Sequence, residues 1–300
     1  MSSLHAAVRA VAAGHGVPGR EVAELPGGVA NQVFGLGAGL ILRIPRSAEF
    51  VADLAKEAAL IPVARAAGVR TPAVVERASI SLDGVPTPYV LMERVHGWDH
   101  LTRPSPAIWP AVGREIALLH RVESLPEVPE DGISSGRAAE ELVDGGRLDA
   151  ETGRWLQGWM DELRQRFDEN SPNVLLHGDL ASQNLMVGDD GELAALIDWG
   201  DAAWGPRGME FAKLRLEDVV RVLPSYKEHA DRRFDGGELE AAVLWFHLQW
   251  GLSNLTGPAH NGGRHWTAAP ASRVLGVLRF VASGPPGPWD GLIKKVDLWV

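Results

Sequence analysis

One segment constrains this chain more than any other. From Asn173 to Trp199, three short apolar runs (Val174-Leu175-Leu176, Leu185-Met186-Val187 and the run ending Leu196-Ile197) are separated by a polar loop, His177 to Asn184, and a tight Gly188-Asp189-Asp190-Gly191 turn. Runs this short bounded by glycine and aspartate read as strands, so a small sheet embedded among helices is expected here. Burial of the flanking strands would hold the loop rigid. A hairpin from Leu185 to Ile197 would carry Asp198 back towards Asn184. Asp189 and Asp190 are accounted for by the turn itself.

The remainder of the chain sorts around this segment. Ser3 to Gly14 reads as an amphipathic helix, capped by Ser3, with Leu4, Val8 and Val11 on one face. Val33-Phe34 and Leu40 to Ile44 read as strands joined by glycine-rich turns, and Gly27-Gly28 as the turn before them. Ser47 to Gly68 is a helical stretch in which Pro62 predicts a kink or two consecutive helices. Ala73 to Val75 and Tyr89 to Met92 are further strands around an Asp83-Gly84 turn. Glu93 to Gly97 then serves as a connector. Beyond it the pattern is mainly helical, over Ile108 to His120, over Arg137 to Asp168 with a break near Gly145-Gly146, and from Phe211 to Val300.

Composition narrows the chemistry. With 300 residues and 45% hydrophobic content, the chain can bury one large or two unequal cores. Its formal charge of −10 disfavours nucleic acid as a partner and would attract a cationic ligand. The absence of cysteine removes disulfides, thiolate catalysis and cysteine-ligated metals, which leaves oxygen or imidazole as metal ligands and makes a hard cation the natural expectation. Arg9, His15, Pro18 and Arg20 interrupt the N-terminal apolar residues too early for a secretory core, and no stretch has the length of a membrane span. A cytoplasmic protein with no membrane partner is expected.

Three polar side chains, Asp179, Asn184 and Asp198, are offered between the short strands. Phosphoryl transfer requires little more of a protein than divalent cations beside the phosphates and a carboxylate on the incoming hydroxyl, and these three residues suit those tasks. The segment resembles the catalytic region of the aminoglycoside phosphotransferase family of antibiotic and small-metabolite kinases. His177-Gly178-Asp179 with Asn184 resembles its catalytic loop, and Ile197-Asp198-Trp199 its metal-binding segment. The resemblance implies that Asp179 orients or deprotonates the acceptor hydroxyl, that Asn184 and Asp198 hold Mg2+, and that His177 is structural within the loop.

The likeness extends to the N-terminal half. Gly27 to Phe34, including Gly27, Gly28 and Asn31, resembles the nucleotide loop, and Leu40 to Arg46 the strand after it, a strand similar to that of macrolide kinases in the family. Arg43 stands where most of the family has lysine, Glu57 matches the helix glutamate that pairs with that cation, and Tyr89 to Arg94, with Met92 and Glu93, resembles the hinge against which the base sits. Where the family often has an Asp-Pro step and a later aspartate, this chain has Gly205 to Glu210, and Glu210 takes the place of a loop anchor. The implied fold is α+β and protein-kinase-like, with two lobes: a small N-terminal antiparallel sheet with helices over residues 1–94, and a larger, mainly helical lobe over 95–300 that carries catalysis and the acceptor.

The implied reaction is transfer of phosphate from ATP or GTP to a hydroxyl of a small molecule, expected to be a natural-product antibiotic such as a macrolide, aminoglycoside or nucleoside. A metabolic kinase for an amino alcohol or sugar, a catalytically silent nucleotide-binding protein, and a hydrolase with His177 and Asp179 on a metal are the rival readings. Asp201, Trp204, Trp245 and Trp250 are acceptor candidates, with core packing the competing explanation for the tryptophans. His260 and His265 sit in a glycine- and proline-rich stretch that suits a lid. Whether the chain is a monomer or a dimer stays open.

Overall fold

A computed structural model describes residues 3–131, 136–257 and 269–294. His260 and His265, with the lid expected around them, lie outside the described residues. In chain order the elements are α1 (Ser3–Gly14), β1 (Val22–Leu25), β2 (Asn31–Leu36), β3 (Leu40–Pro45), α2 (Val51–Ala66), β4 (Val74–Leu82), β5 (Val85–Glu93) and β6 (Trp98–Asp99). They continue with α3 (Trp109–Leu119), α4 (Ala138–Asp144), α5 (Ala150–Arg164), β7 (Val174–Leu176), β8 (Leu185–Val187) and β9 (Leu193–Leu196). The last are β10 (Ala203–Gly205), α6 (Leu216–His229), α7 (Glu238–Asn254) and α8 (Ala271–Ala282).

These elements form two compact units. The first takes the chain up to Ile108, then Ser124–Val128 and Gln183–Ala202; the second takes Trp109–Glu123, Pro129–Ser182 and the chain from Ala203 onward. The chain therefore returns to the first unit for the β8–β9 hairpin.

In the first unit a five-stranded antiparallel sheet runs in the order β1-β2-β3-β5-β4. Its two faces are set by strand alternation. Phe34, Leu36, Leu42, Ile44, Tyr89 and Leu91 point to one side and are buried with Val8 and Ala12 of α1. Each such side chain contributes roughly 1.5–3 kcal/mol of burial. Because Leu42 and Ile44 face α1, Arg43 between them must face the other way, and there it meets Glu57 of α2. α2 is a single helix through Pro62, not two. Burial of Leu54, Ala58, Leu60, Ile61 and Ala64 along it outweighs the one backbone bond that proline removes.

β4 and β5 join through Asp83 and Gly84, both at positive φ (50° and 84°), which is the two-residue turn whose twist matches a hairpin. The sequence predicted one small sheet over Asn173 to Trp199, and the strands divide into two instead. β8 and β9 pair with each other and with β6, Leu185 opposite Leu196 and Trp98 opposite Val187, whereas β7 pairs with β10 in the second unit. The division follows from partners supplied at long range, which no local pattern encodes. Gly97 makes the β6 pairing possible: it adopts a φ of 126°, and a Cβ there would meet Val187 O at 1.9 Å.

In the second unit α7 is buried on almost every side, and α4, α5 and α8 pack around it. Trp245 lies on it with 1% of its surface exposed, edge-on to Phe167 and Phe246. Its ring is part of the packing. A 3₁₀ segment, Arg207–Lys213, lies between α7 and β7, and α3 packs along α6.

Candidate active site

The first unit brings together Arg43, Glu57, Asn184 and Asp198. Pairing of Leu185 with Leu196 continues in a hydrogen bond from Ile197 N to Asn184 O (3.0 Å), so Asn184 enters the hairpin at the rung where Asp198 leaves it. Two further bonds fix the hairpin: Leu196 N donates to Arg70 O, and the Arg70 guanidinium donates to Leu193 O. Asn184 is buried, while the Asp198 side chain keeps 49% of its surface open.

Arg43 spans two carboxylates. One guanidinium nitrogen donates to Glu57 Oε1 and the other to Asp198 Oδ1 at 2.8 Å. Burial works against the guanidinium charge, but Glu57 and Asp198 together outweigh it and hold Arg43 above its ordinary pKa. For Glu57, burial pushes the carboxyl up and Arg43 pulls it back. Asp198 has a φ of +68°, a backbone state that L residues other than asparagine and aspartate rarely adopt and that costs of order 1 kcal/mol or more. Its neighbour holds it there. Trp199 is fully buried, its N donates to Glu57 Oε1 (3.4 Å) and its indole Nε1 donates to Thr71 Oγ1 (2.9 Å).

The remaining residues of this half lie along the sheet edge and its loops. Gly27 and Gly28 are exposed in the turn before β2, where Arg46 Nε donates to Gly28 O at 3.2 Å. Asn31 begins β2; it is buried, and its Oδ1 has no hydrogen-bond partner. Met92, buried, and Glu93, exposed, end β5. Asp201 is exposed.

The second unit holds His177 and Asp179. β7 delivers the chain to His177, whose N donates to Glu210 Oε2 at 2.7 Å; Glu210 is therefore the anchor of this loop. Asp179 N donates to His177 Nδ1 (3.2 Å) and Ala181 N to Asp179 O (2.8 Å), which tightens the turn around a carboxylate with only 10% of its side chain exposed. Lys213 Nζ stands 3.2 Å from Asp179 Oδ1. The sequence reading did not find this lysine. The signal available was its place three residues after Glu210, on the segment that anchors the loop.

Behind Glu210 lies a buried polar chain that was also not anticipated. Arg207 donates to Tyr226 Oη (3.1 Å), Tyr226 Oη lies 2.7 Å from His120 Nδ1, and His120 Nε2 lies 3.4 Å from Glu210 Oε2. The phenol accepts from Arg207 and so donates to Nδ1, which leaves the His120 proton on Nε2, directed at Glu210. Burial lowers the His120 pKa and raises that of Tyr226 to about 12, so both stay neutral near pH 7. Trp204, half-buried on β10, lines a polar groove of about 440 Å³ with His120, Arg207 and Asp231. Trp250 is half-buried, with the Arg273 guanidinium 5.3 Å from its ring.

The donor set fits a magnesium nucleotide. Among the described residues no cluster of three or more His, Asp or Glu is built to hold a metal alone. Asn184 with a half-open Asp198 is instead a one-amide, one-carboxylate set, suited to Mg2+ that takes its other ligands from water and phosphate. Among the described residues no helix is long and apolar enough to cross a membrane.

Comparison with known proteins identifies the family. Residues 21–243 match the phosphotransferase enzyme family. Curated protein sequences give no match. Among solved structures, the GDP complex of an aminoglycoside 2′-phosphotransferase aligns at 18% identity and a TM-score of 0.63, covering 95% of this chain and 100% of that one. A macrolide 2′-phosphotransferase from Brachybacterium faecium aligns at 19% identity and 0.57, covering 93% and 97%. A choline/ethanolamine kinase family protein from Mesorhizobium loti aligns at 19% and 0.58, covering 90% of each. At these identities the structural likeness establishes the kinase-like α+β fold, and the extent of the family match establishes the rest: this chain belongs to the phosphotransferase enzyme family.

Proposed function

We propose that this protein transfers the γ-phosphate of ATP or GTP to a hydroxyl of a small natural product, with Asp179 as the residue that orients and deprotonates that hydroxyl. In this reading residues 1–94 serve the nucleotide and residues 95–300 serve catalysis and the acceptor, in the cytoplasm. Asn184 and Asp198 would hold Mg2+, which when bound offsets phosphate charge. Arg43 neutralises the phosphates and Glu57 fixes its direction; Gly27, Gly28 and Asn31 close over the nucleotide, and Met92 and Glu93 border its base. Asp179 accepts a hydrogen bond from the acceptor O–H. As the new O–P bond forms and the bond between phosphorus and the bridging oxygen of the diphosphate breaks, the hydroxyl proton passes to Asp179.

The observation that carries this reading is the bridging of Glu57 and Asp198 by Arg43. A buried glutamate, a strand arginine and a strained aspartate form one electrostatic unit with an open carboxylate edge, an arrangement a nucleotide phosphate and its cation can enter. An antibiotic acceptor, with resistance as the consequence, is supported by the fold shared with aminoglycoside and macrolide phosphotransferases and by a net charge of −10, which favours cationic acceptors. The fold shared with a choline/ethanolamine kinase family protein supports a second reading, a metabolic amino alcohol or sugar. Incubation with ATP or GTP and panels of both acceptor classes, read by mass spectrometry for added phosphate, separates them. Asp179→Ala should lower turnover about 10²–10⁴-fold with nucleotide affinity nearly unchanged. Equal product from that variant would refute the role of Asp179.

A further inference from the structure

The loop from His177 to Asn184 contains no lysine or arginine, so it brings no cation of its own to the carboxylate at its centre. Lys213 brings one. Its Nζ lies 3.2 Å from Asp179 Oδ1, and the two side chains are only 13% and 10% exposed. The approach is fixed by ties on both sides of the lysine's own segment: Glu210 accepts from His177 N, and the His247 ring bonds Phe211 O at 3.2 Å. Phe211 and Ala212, immediately before Lys213, are completely buried. The ammonium is thus held against Asp179 by a rigid segment, not by a surface side chain free to swing.

This position has a chemical consequence. Oδ1 is buried against Lys213, so an acceptor hydroxyl would bond Oδ2 and its oxygen would lie within about 8 Å of Nζ, where a phosphoryl oxygen turned towards Lys213 would fall within reach of the ammonium. We propose that Lys213 is a further catalytic residue, an ammonium that contacts the transferring phosphoryl group while its other donors hold Asp179 in place; the inference rests on the phosphotransfer reading above. As the O–P bond to the acceptor forms and the bond to the diphosphate breaks, the acceptor proton goes to Asp179. Lys213 keeps its own proton throughout and offsets charge on the phosphoryl oxygens.

The test compares Lys213→Met, Lys213→Arg and wild type, with Lys213→Gln in place of the methionine variant should that fail to fold. Lys213→Met should lower kcat about 10²–10³-fold and leave the Kd for Mg2+–nucleotide within about twofold, whereas Lys213→Arg, which keeps a cation, should recover most of kcat. A second readout needs no acceptor: calorimetric binding of Mg2+–ADP or Mg2+–GDP with and without aluminium fluoride as phosphoryl mimic. Fluoride should tighten binding to wild type and Lys213→Arg but not to Lys213→Met. An unchanged kcat, or the same tightening in Lys213→Met, overturns the role of Lys213 and leaves the phosphotransfer reading standing. Wild-type protein that binds no Mg2+–nucleotide overturns that reading, and this inference with it.

Discussion

Arg43 Nη2 lies 2.8 Å from Asp198 Oδ1, joining a strand of the N-terminal sheet to the end of a hairpin far along the chain. The other arm of the same guanidinium is on Glu57, whose side chain is 2% exposed. A planar, forked cation is what allows one residue to serve both carboxylates in fixed directions.

Arg43→Lys should therefore keep the fold and lose part of the function, because an ammonium cannot reproduce both arms of the fork. We expect nucleotide affinity to fall about tenfold, equivalent to about 1.4 kcal/mol. Arg43→Ala should cost about 3–5 kcal/mol of stability, since it leaves Glu57 buried without its cation. Double substitution with Glu57→Gln should recover part of that loss in a urea titration. No recovery would mean that the pair is not the source of the cost.

Gly97→Ala tests the hairpin's seating. The new Cβ would collide with Val187 O, and alanine resists a φ of 126°. We expect a loss of about 2 kcal/mol or more in chemical denaturation, with weakened Mg2+–nucleotide binding because β8 leads back to Asn184. A variant as stable as wild type would show that β6 does not hold β8.

His120 gives a pH signature. Burial lowers its folded pKa below the unfolded value of about 6.5, so below that pH the unfolded chain binds more protons and stability falls as pH falls. The slope from one such histidine is at most about 1.4 kcal/mol per pH unit. His100, also lowered by burial, contributes to the same slope. His120→Gln should flatten the loss of unfolding free energy between about pH 6.5 and pH 5.5, leaving the His100 share. An unchanged slope would contradict a neutral His120 in the folded state.

What the sequence made legible was local. Ser3 to Gly14 became a helix with those bounds because its apolar face and its glycine stop lie within a dozen residues, and Asp83-Gly84 became a turn because both residues tolerate positive φ. The hairpin that bonds Asn184 to Ile197, the residue before Asp198, formed because a glycine-aspartate turn has few alternatives. The pairing of β7 with β10, the approach of Lys213 to Asp179, and the chain from Arg207 through Tyr226 and His120 to Glu210 depend on partners distant in sequence. Nothing in the pattern around His120 specifies its partners, and Lys213 is marked only by its place three residues after Glu210. Pro62 exerted less influence than its chemistry suggests because the apolar face of α2 is buried on both sides of it.

If the two ends of the β8–β9 hairpin hold a cation for a bound nucleotide, as proposed, calorimetric titration of ATP and GTP with and without magnesium will show it. Wild-type protein should bind nucleotide far more tightly when magnesium is present, and Asp198→Ala should lose this dependence while remaining folded. Equal nucleotide affinity with and without the metal in wild type, or an undiminished magnesium effect in Asp198→Ala, would contradict it.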